Sequence, residues 1–384
     1  MWNSWKGEMK KLQLLHKKQT KLTKKFIIAG GGTGGHIFPA IAIANAIKEM
    51  MPTAEFLFVG AKGKMEMEKV PKAGYQIVGL DIAGFNRSSL LKNITLPFKL
   101  VQSFLQVIQI FNKFKPDAVI GVGGYSSFPV LRYAQSNGIK TFIHESNSFA
   151  GKANIMLAKK ATKIFVATRG MDVFFPADKI IISGNPIREA IAANNVDHNK
   201  AILFFGLDAN KKTVLVVGGS LGAKSINETI LANLDLFDEH HLQLIWQTGK
   251  INADKYKNAA VNKQYIWVNE FIQEMEYGYA AADLVISRAG AMAVSELCIV
   301  AKPAILVPFP LAAENHQTEN AMQLVKENAA EIVADKDVKE LLVKKVMALI
   351  QNDDELASLS TNIKELGKSA ADKLIASEIL KMIA

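Results

Sequence analysis

The 384-residue sequence contains a single cysteine, Cys298. A disulfide framework and a cysteine-rich metal site are therefore excluded. Cys298 lies in an apolar stretch and reads as small core filler. No uncharged apolar run reaches about 18 residues, so no transmembrane helix is expected. Residues 1–25 carry charge but no apolar h-region, so they are not a secretory signal. No zinc or calcium ligand pattern is visible, and His144-Glu145 lacks a second histidine at zinc-binding spacing. The only Asp-x-Asp is Asp335-Lys336-Asp337. It precedes a helical run and reads as helix-start charge, not as a metal–sugar clamp. No repeat of 20–50 residues is present.

What remains is ordinary for a globular chain: 49% apolar and 21% charged residues, at a length that predicts two or three domains. The net charge of +10 is unevenly placed. Residues 1–25 hold eight lysines and one acid, Glu8, which leaves only +3 for the rest. The body is thus mildly basic, and nucleic acid is not an expected partner. The basic segment reads as a flexible N-terminal extension or as a translation start placed too early. The other reading is a tether to an anionic surface, helped by Trp2 and Trp5.

From Phe26 onward, short β-rich runs alternate with helical periods. Strands are expected at Phe26–Ala29, Glu55–Val59, Gln76–Asp81, Ala118–Val122, Thr141–His144, Ile164–Ala167 and around Ile181–Ser183. A second series follows at Thr213–Val217, Gln243–Trp246, Tyr265–Val268, Leu284–Ser287, Ala304–Val307 and Glu331–Val333. Near-continuous apolar strands between helices indicate parallel sheets covered on both faces. The fold class is α/β, with two Rossmann-like parallel-sheet domains facing across a cleft. The expected domains are 26–187 and 188–369, with a C-terminal helix at about 370–384 packing back on the first. Ligands of such sheets bind at the carboxyl ends of the strands, which places the site between the halves.

The strand-end loops carry the chemistry. Gly30-Gly31-Gly32-Thr33-Gly34-Gly35-His36 lies between a strand and a helical run from about Phe38. Glycines let the backbone approach a ligand, and a helix start offers N–H groups to an anion. Gly30-x-Gly32-x-x-Gly35 matches the dinucleotide fingerprint, but the second strand ends Val59-Gly60-Ala61-Lys62, without the ribose-reading acid. A purely structural turn is the bland alternative. Gly218-Gly219-Ser220-Leu221-Gly222-Ala223 reads as a second anion cradle. It also fits the G-x-S-x-G of hydrolases, with Asp283 and His316 downstream. Ser287–Leu297 places Glu296 in the early turns of a helix, where a carboxylate can take a ribose diol or simply favour the helix dipole. Pro308-Phe309-Pro310 and Glu314–Ala321 put Gln317 and Asn320 on one helix face, suited to sugar hydroxyls or to an ordinary polar helix start. Gly121–Ser127 and His144-Glu145-Ser146-Asn147 are two further strand ends. Between Ile82 and Pro116 there is no acid but five bases: Arg87, Lys92, Lys99, Lys113 and Lys115. Phe98–Phe111 is apolar around most of a helix, which reads as an interfacial membrane patch or as core with a basic rim.

Taken together, these segments resemble the MurG family of N-acetylglucosaminyltransferases of peptidoglycan synthesis, which have the GT-B fold. The segments are GGGTGGHIFPA (30–40), GVGGYSSFP (121–129), HESN (144–147), SGNPIRE (183–189), VGGSLGAKSIN (217–227), EFI (270–272), SRAGAMAVSEL (287–297) and PFPLAAENHQTENA (308–321). The resemblance implies inverting transfer of GlcNAc from UDP-GlcNAc to the C4 hydroxyl of MurNAc in lipid I, giving lipid II. It places the enzyme peripherally on the cytoplasmic face of the inner membrane, against an anionic surface. The C-terminal half would bind the donor: Ser220 at the diphosphate, Glu296 at the ribose, Ile272 presenting backbone to uracil with Arg188 nearby, Ala291 and Met292 offering N–H groups to phosphate, and Gln317 and Asn320 at the GlcNAc. From the other half, Thr33, Gly34, Gly35 and Asn147 would approach the donor, and Thr33, His36, Tyr125 and Asn147 the acceptor. His36 is the candidate base and Glu145 the reserve. His316-Gln317 stands where family members often carry a Gln pair, and Ala293 where many have Thr. No cofactor is required by the sequence, and divalent-ion assistance stays open. The rival readings are another GT-B UDP-sugar enzyme such as a UDP-GlcNAc 2-epimerase, an NADP-dependent reductase, and a non-catalytic sugar-nucleotide binder.

Overall fold

The computed structural model describes residues 23–83, 96–219 and 221–383. Ser220, the tail through residue 22 with Trp2 and Trp5, and Arg87 and Lys92 lie outside them. Each expected strand forms, with ends shifted by at most two residues. The first sheet contains β1 (Lys25–Ala29), β2 (Glu55–Ala61), β3 (Ile77–Leu80), β4 (Ala118–Gly121), β5 (Lys140–Glu145), β6 (Lys163–Val166) and β7 (Ile180–Ile182). The second contains β8 (Thr213–Val217), β9 (Gln243–Gln247), β10 (Ile266–Asn269), β11 (Leu284–Ser287), β12 (Ala304–Leu306) and β13 (Glu331–Ile332). Their orders are β3-β2-β1-β4-β5-β6-β7 and β10-β9-β8-β11-β12-β13. The pairs are parallel, Phe26 lying beside both Phe56 and Ala118. In each sheet the order reverses beside its first strand, and the crevice for a ligand opens there.

The apolar strands make sense by alternation. Phe26 and Ile28 face one side and pack with the helices Gly34–Met50 and Ala371–Ile383. Ile27 and Ala29 face the other, with Val107 and Phe111 of the helix Leu96–Phe114. The second sheet repeats this: Val214 and Val216 face one side, Leu215 the other. Cys298 sits in that core, and burial pushes its thiol up to about 12. The C-terminal helix returns to the first half through Ile375, Ala376 and Ile379, all fully buried. Each buried isoleucine contributes roughly 1.5–3 kcal/mol, so the return is a firm attachment. The chain therefore crosses between the halves twice, and the crossings touch where Gly184 lies against Lys368.

One boundary differs in a way that shapes the site. The helix expected from about Phe38 begins at Gly34, behind an extended Thr33. Pro39 then lies inside it and leaves the Gly35 carbonyl without its usual helical N–H. Ser146 Oγ supplies the missing donor, 3.1 Å from Gly35 O. The loop after β5 is thus fastened to the glycine-rich helix start.

Candidate functional site

The first glycine loop turns its early N–H groups inward. Gly30 donates to Val59 O at 3.1 Å and Gly31 to Gly123 O at 3.3 Å. Gly32 donates to Glu66 Oε2 at 2.9 Å, and Glu66 Oε1 takes the Ala61 N–H at 3.0 Å. A buried carboxylate thus occupies the turn that a dinucleotide fingerprint would leave for a pyrophosphate. Lys62, in the place of the ribose-reading acid, pairs with Asp81 at 2.6 Å. Neither feature suits a nicotinamide cofactor. The N–H groups of Thr33, Gly34 and Gly35 have no partner within the helix, and no side chain caps that helix start. They remain available to a ligand.

His36 stands in the first turn of the helix. Its Nδ1 lies 2.9 Å from Gly31 O and 3.4 Å from Thr33 Oγ1. A carbonyl only accepts, so Nδ1 carries a hydrogen, and in the neutral ring the lone pair is then on Nε2. Nε2 lies beside Gly123, where a Cβ would approach to 2.9 Å; Gly123 also has φ +94°. Tyr125 follows in the same loop. Burial, then the charge of Glu66, raises its hydroxyl above the ordinary range, so it stays protonated and able to donate. Glu145 is placed differently. Its two oxygens accept from Asn147 N (3.1 Å), Asn147 Nδ2 (3.3 Å), Gly151 N (3.0 Å) and Asn154 Nδ2 (2.8 Å). Four donors make this carboxylate the brace of the loop 146–151.

Across the cleft, Glu296 is buried in the helix Ala291–Val300. It accepts from Tyr279 OH at 2.9 Å and pairs with Arg188 Nη2 at 3.4 Å. Burial raises its carboxyl above the ordinary value, with Arg188 pulling the other way. Gly290 precedes the helix without a side-chain cap, so the first N–H groups, those of Ala291 and Met292, have no helical partner. Gln317 Oε1 takes the Phe309 N–H at 2.9 Å, which ties the Pro308–Pro310 turn to the helix His316–Lys326. Asn320 joins the halves. Its Oδ1 accepts the Ser148 N–H at 2.8 Å, and its Nδ2 donates to Asn147 Oδ1 at 3.3 Å and Ala289 O at 3.1 Å. Asn185, near the first crossing, donates to Ser146 O and Ser295 Oγ, both at 2.9 Å.

Several residues that position this site escape sequence inspection. Gln247 ends β9 and is buried. Its Oε1 takes the Ile272 N–H at 3.0 Å while its Nε2 reaches Gly219 O at 3.4 Å. It therefore ties the second glycine loop to the loop bearing Ile272 and takes up the Ile272 N–H. Asp335 is not simple helix-start charge. It pairs with Arg288 at 2.6 Å and accepts from Ser225 Oγ at 2.6 Å, and Arg288 also donates to Val307 O and Pro308 O. Asp283 accepts the Thr213 N–H at 2.7 Å, at the amino edge of the sheet. The Gly218–Gly222 loop leaves the opposite edge, so a hydrolase triad through Asp283 is not assembled. Among the described residues, no group of three or more His, Cys, Asp or Glu gathers as a metal set.

The family description "Glycosyltransferase family 28 N-terminal domain" matches residues 26–166, and "Glycosyltransferase family 28 C-terminal domain" matches 213–375. The chain is 51% identical over 361 residues to the UDP-N-acetylglucosamine–N-acetylmuramyl-(pentapeptide) pyrophosphoryl-undecaprenol N-acetylglucosamine transferase of Phocaeicola vulgatus, covering 93% of this chain and 96% of that one. It is 49% identical over 362 residues to the same-named protein of Parabacteroides distasonis, covering 94% and 98%. Among solved structures it superimposes on Acinetobacter baumannii MurG with a TM-score of 0.76 at 26% identity, covering 94% of this chain and all of that one. A UDP-GlcNAc 2-epimerase from Neisseria meningitidis, bound to UDP-GlcNAc, reaches 0.65 at 14% identity, covering 93% and 100%. At that identity the likeness shows a shared fold alone.

One buried group at this edge titrates in a testable way. His144, on β5, is fully buried, and its Nε2 has no hydrogen-bond partner. Burial depresses its imidazolium to about 4. The unfolded chain takes that proton near pH 6.5, so between about 6.5 and 4 it binds more protons than the folded one. Stability therefore falls as pH drops through that window, by up to about 3 kcal/mol from this group. Urea unfolding at pH 6.5 and 4.5 should show a smaller drop for His144→Gln than for the parent; equal drops would assign the loss to other groups.

Proposed function

The chain belongs to the MurG family of UDP-GlcNAc-dependent N-acetylglucosaminyltransferases, and from that membership we propose that it transfers GlcNAc from UDP-GlcNAc to the C4 hydroxyl of MurNAc in lipid I, giving lipid II for peptidoglycan. The observation that carries the reading is the junction of Asn320 with Asn147 and Ser148. It brings a sugar-reading amide of the donor half against the strand-end loop of the acceptor half. The 2-epimerase reading has only the shared fold behind it.

The donor lies in the C-terminal half. Glu296 takes the ribose hydroxyls, with Arg188 beside it, and the Ile272 carbonyl takes the uracil N3–H. Ser220 and the N–H groups of Ala291 and Met292 meet the diphosphate, where fixed dipoles stabilise the charge of departing UDP without reorganisation. Gln317 and Asn320 hold the GlcNAc hydroxyls, and Thr33, Gly34, Gly35 and Asn147 close over it. On the acceptor side, Thr33, Tyr125 and Asn147 orient the muramyl sugar. His36 Nε2 removes the C4 hydroxyl proton as that oxygen attacks the anomeric carbon and the bond to UDP breaks. A single displacement of this kind inverts the anomeric centre.

One helix face supports a placement on the membrane. Phe98, Val101 and Leu105 are 78%, 62% and 58% exposed at helical spacing, with Lys99 exposed beside them. The same helix buries Val107 and Phe111 in the core. Among the described residues no helix is long and apolar enough to cross a membrane. The exposed face is suited to lying on the anionic cytoplasmic surface of the inner membrane, where lipid I is held.

Incubating the purified chain with UDP-GlcNAc and a short-chain lipid I analogue should yield a lipid II analogue by mass, with UDP released only when acceptor is present. UDP-GlcNAc binding without product would refute the transferase reading. In the same assay His36→Ala should lower kcat by ~10²–10⁴-fold; a loss confined to acceptor KM would make His36 a binding residue. Glu296→Ala should raise the KM for UDP-GlcNAc by about 10–100-fold, the value of charged hydrogen bonds near 1.5–3 kcal/mol. Phe98→Ser with Val101→Ser should weaken sedimentation with anionic vesicles by about tenfold or more. Unchanged sedimentation would locate the membrane contact elsewhere.

A further inference from the structure

One peptide group in the first glycine loop is bonded at both ends. The Gly31 carbonyl accepts from His36 Nδ1 at 2.9 Å. The N–H of the same peptide unit, carried by Gly32, donates to Glu66 Oε2 at 2.9 Å. Glu66 begins the short helix Glu66–Lys72 after β2, and its side chain is almost wholly buried. Its second oxygen holds the Ala61 N–H at 3.0 Å, so the carboxylate cannot swing away without losing two backbone donors.

We propose that Glu66 is a positioning residue for the transfer reaction, acting on His36 through the Gly31–Gly32 peptide. The proposal rests on the reading of His36 as the base. A carboxylate accepting an amide N–H draws that bond toward itself and enriches the carbonyl oxygen at the other end of the same resonance system. The enriched carbonyl accepts more strongly from Nδ1–H. That fixes the tautomer in which Nε2 holds the lone pair, and it stabilises the imidazolium formed when Nε2 takes the acceptor proton. The proton moves from the C4 hydroxyl to Nε2 and later to solvent; no bond to the protein forms. Carboxylates that orient a catalytic histidine usually touch the ring, and here one peptide stands between them.

The local geometry is built for this. Gly31 has φ +147°, and a Cβ there would lie 2.4 Å from the Glu66 carboxyl carbon. Only glycine lets the carboxylate approach that peptide. The arrangement also carries a cost, since a buried carboxylate loses its hydration. Glutamine would accept one of the two N–H bonds and turn an N–H donor toward the other.

The test reads the tautomer and the rate separately, on the full chain. Imidazole 15N shifts, with the His36 signals identified by their loss in His36→Ala, should report Nδ1–H in the parent. In Glu66→Gln they should move toward Nε2–H. The same variant should lose ~10–100-fold in kcat, the usual effect of removing an orienting partner, with both KM values within about twofold. In the His36→Ala background, Glu66→Gln should cost nothing further, and Glu66→Asp, which keeps the charge, should recover part of the rate. An Nε2–H signal in the parent overturns the relay, and that measurement needs no Glu66 variant to fold. Unchanged shifts in Glu66→Gln, or an equal loss with and without His36, overturns it as well. A shifted tautomer together with full activity of His36→Ala refutes instead the base reading, and with it the catalytic part of the proposal.

Discussion

A backbone N–H binds an anion well only if its peptide plane is already held still. Every part of this site depends on that constraint. Parallel sheets deliver the carboxyl ends of β1, β4, β5, β8, β9, β10 and β11 to the edges that face the cleft. The loops there are rich in glycine, which opens the backbone but leaves it soft. Stiffness comes from buried polar side chains behind the loops. Glu66 holds Gly32 and Ala61. Glu145 holds Asn147 and Gly151. Gln247 ties Ile272 to Gly219, and Arg288 ties the Pro308 turn to Asp335. Each is satisfied by several bonds, as a buried polar group must be.

The halves meet through few and polar contacts at the cleft. Asn320 and Asn185 hydrogen-bond across it, while the apolar attachment is made elsewhere, by the C-terminal helix on the first sheet. Hydrogen bonds of this kind are worth about a kcal/mol each, less than the apolar attachment. The groups that would read GlcNAc are the same ones that join the halves. Binding a sugar between Asn147 and Asn320 would therefore couple donor capture to closure.

Much of this was legible in the sequence because it is written in local patterns. Apolar runs of four or five residues located β1, β4, β8 and β11, and glycine clusters located the loops. The missing ribose acid after Val59 argued against a dinucleotide. What was not legible depends on contacts distant in sequence. Nothing near Glu66 marks it, because its partners lie 34 and 5 residues back, in the first glycine loop and at the end of β2. Glu145, beside a histidine at a strand end, read as the reserve base; the four donors that make it a brace come from Asn147, Gly151 and Asn154. The early helix start at Gly34 was hidden by Pro39, whose cost is offset by Ser146, a residue 111 positions away from Gly35.

Which carboxylates are free also bears on the stereochemistry. A retaining route through a glycosyl-enzyme needs a carboxylate nucleophile at the sugar. Glu145 and Glu66 have their oxygens turned to backbone and amide donors, and Glu296 is buried against Tyr279 and Arg188. The proposed direct attack by the acceptor oxygen, assisted by His36, needs no such nucleophile. The most direct measurement is the configuration of the new glycosidic bond, read from the anomeric proton coupling in the NMR spectrum of the product formed from α-linked UDP-GlcNAc. The account predicts a β linkage. An α linkage would contradict it, because a single in-line displacement at an α-linked donor cannot retain the configuration.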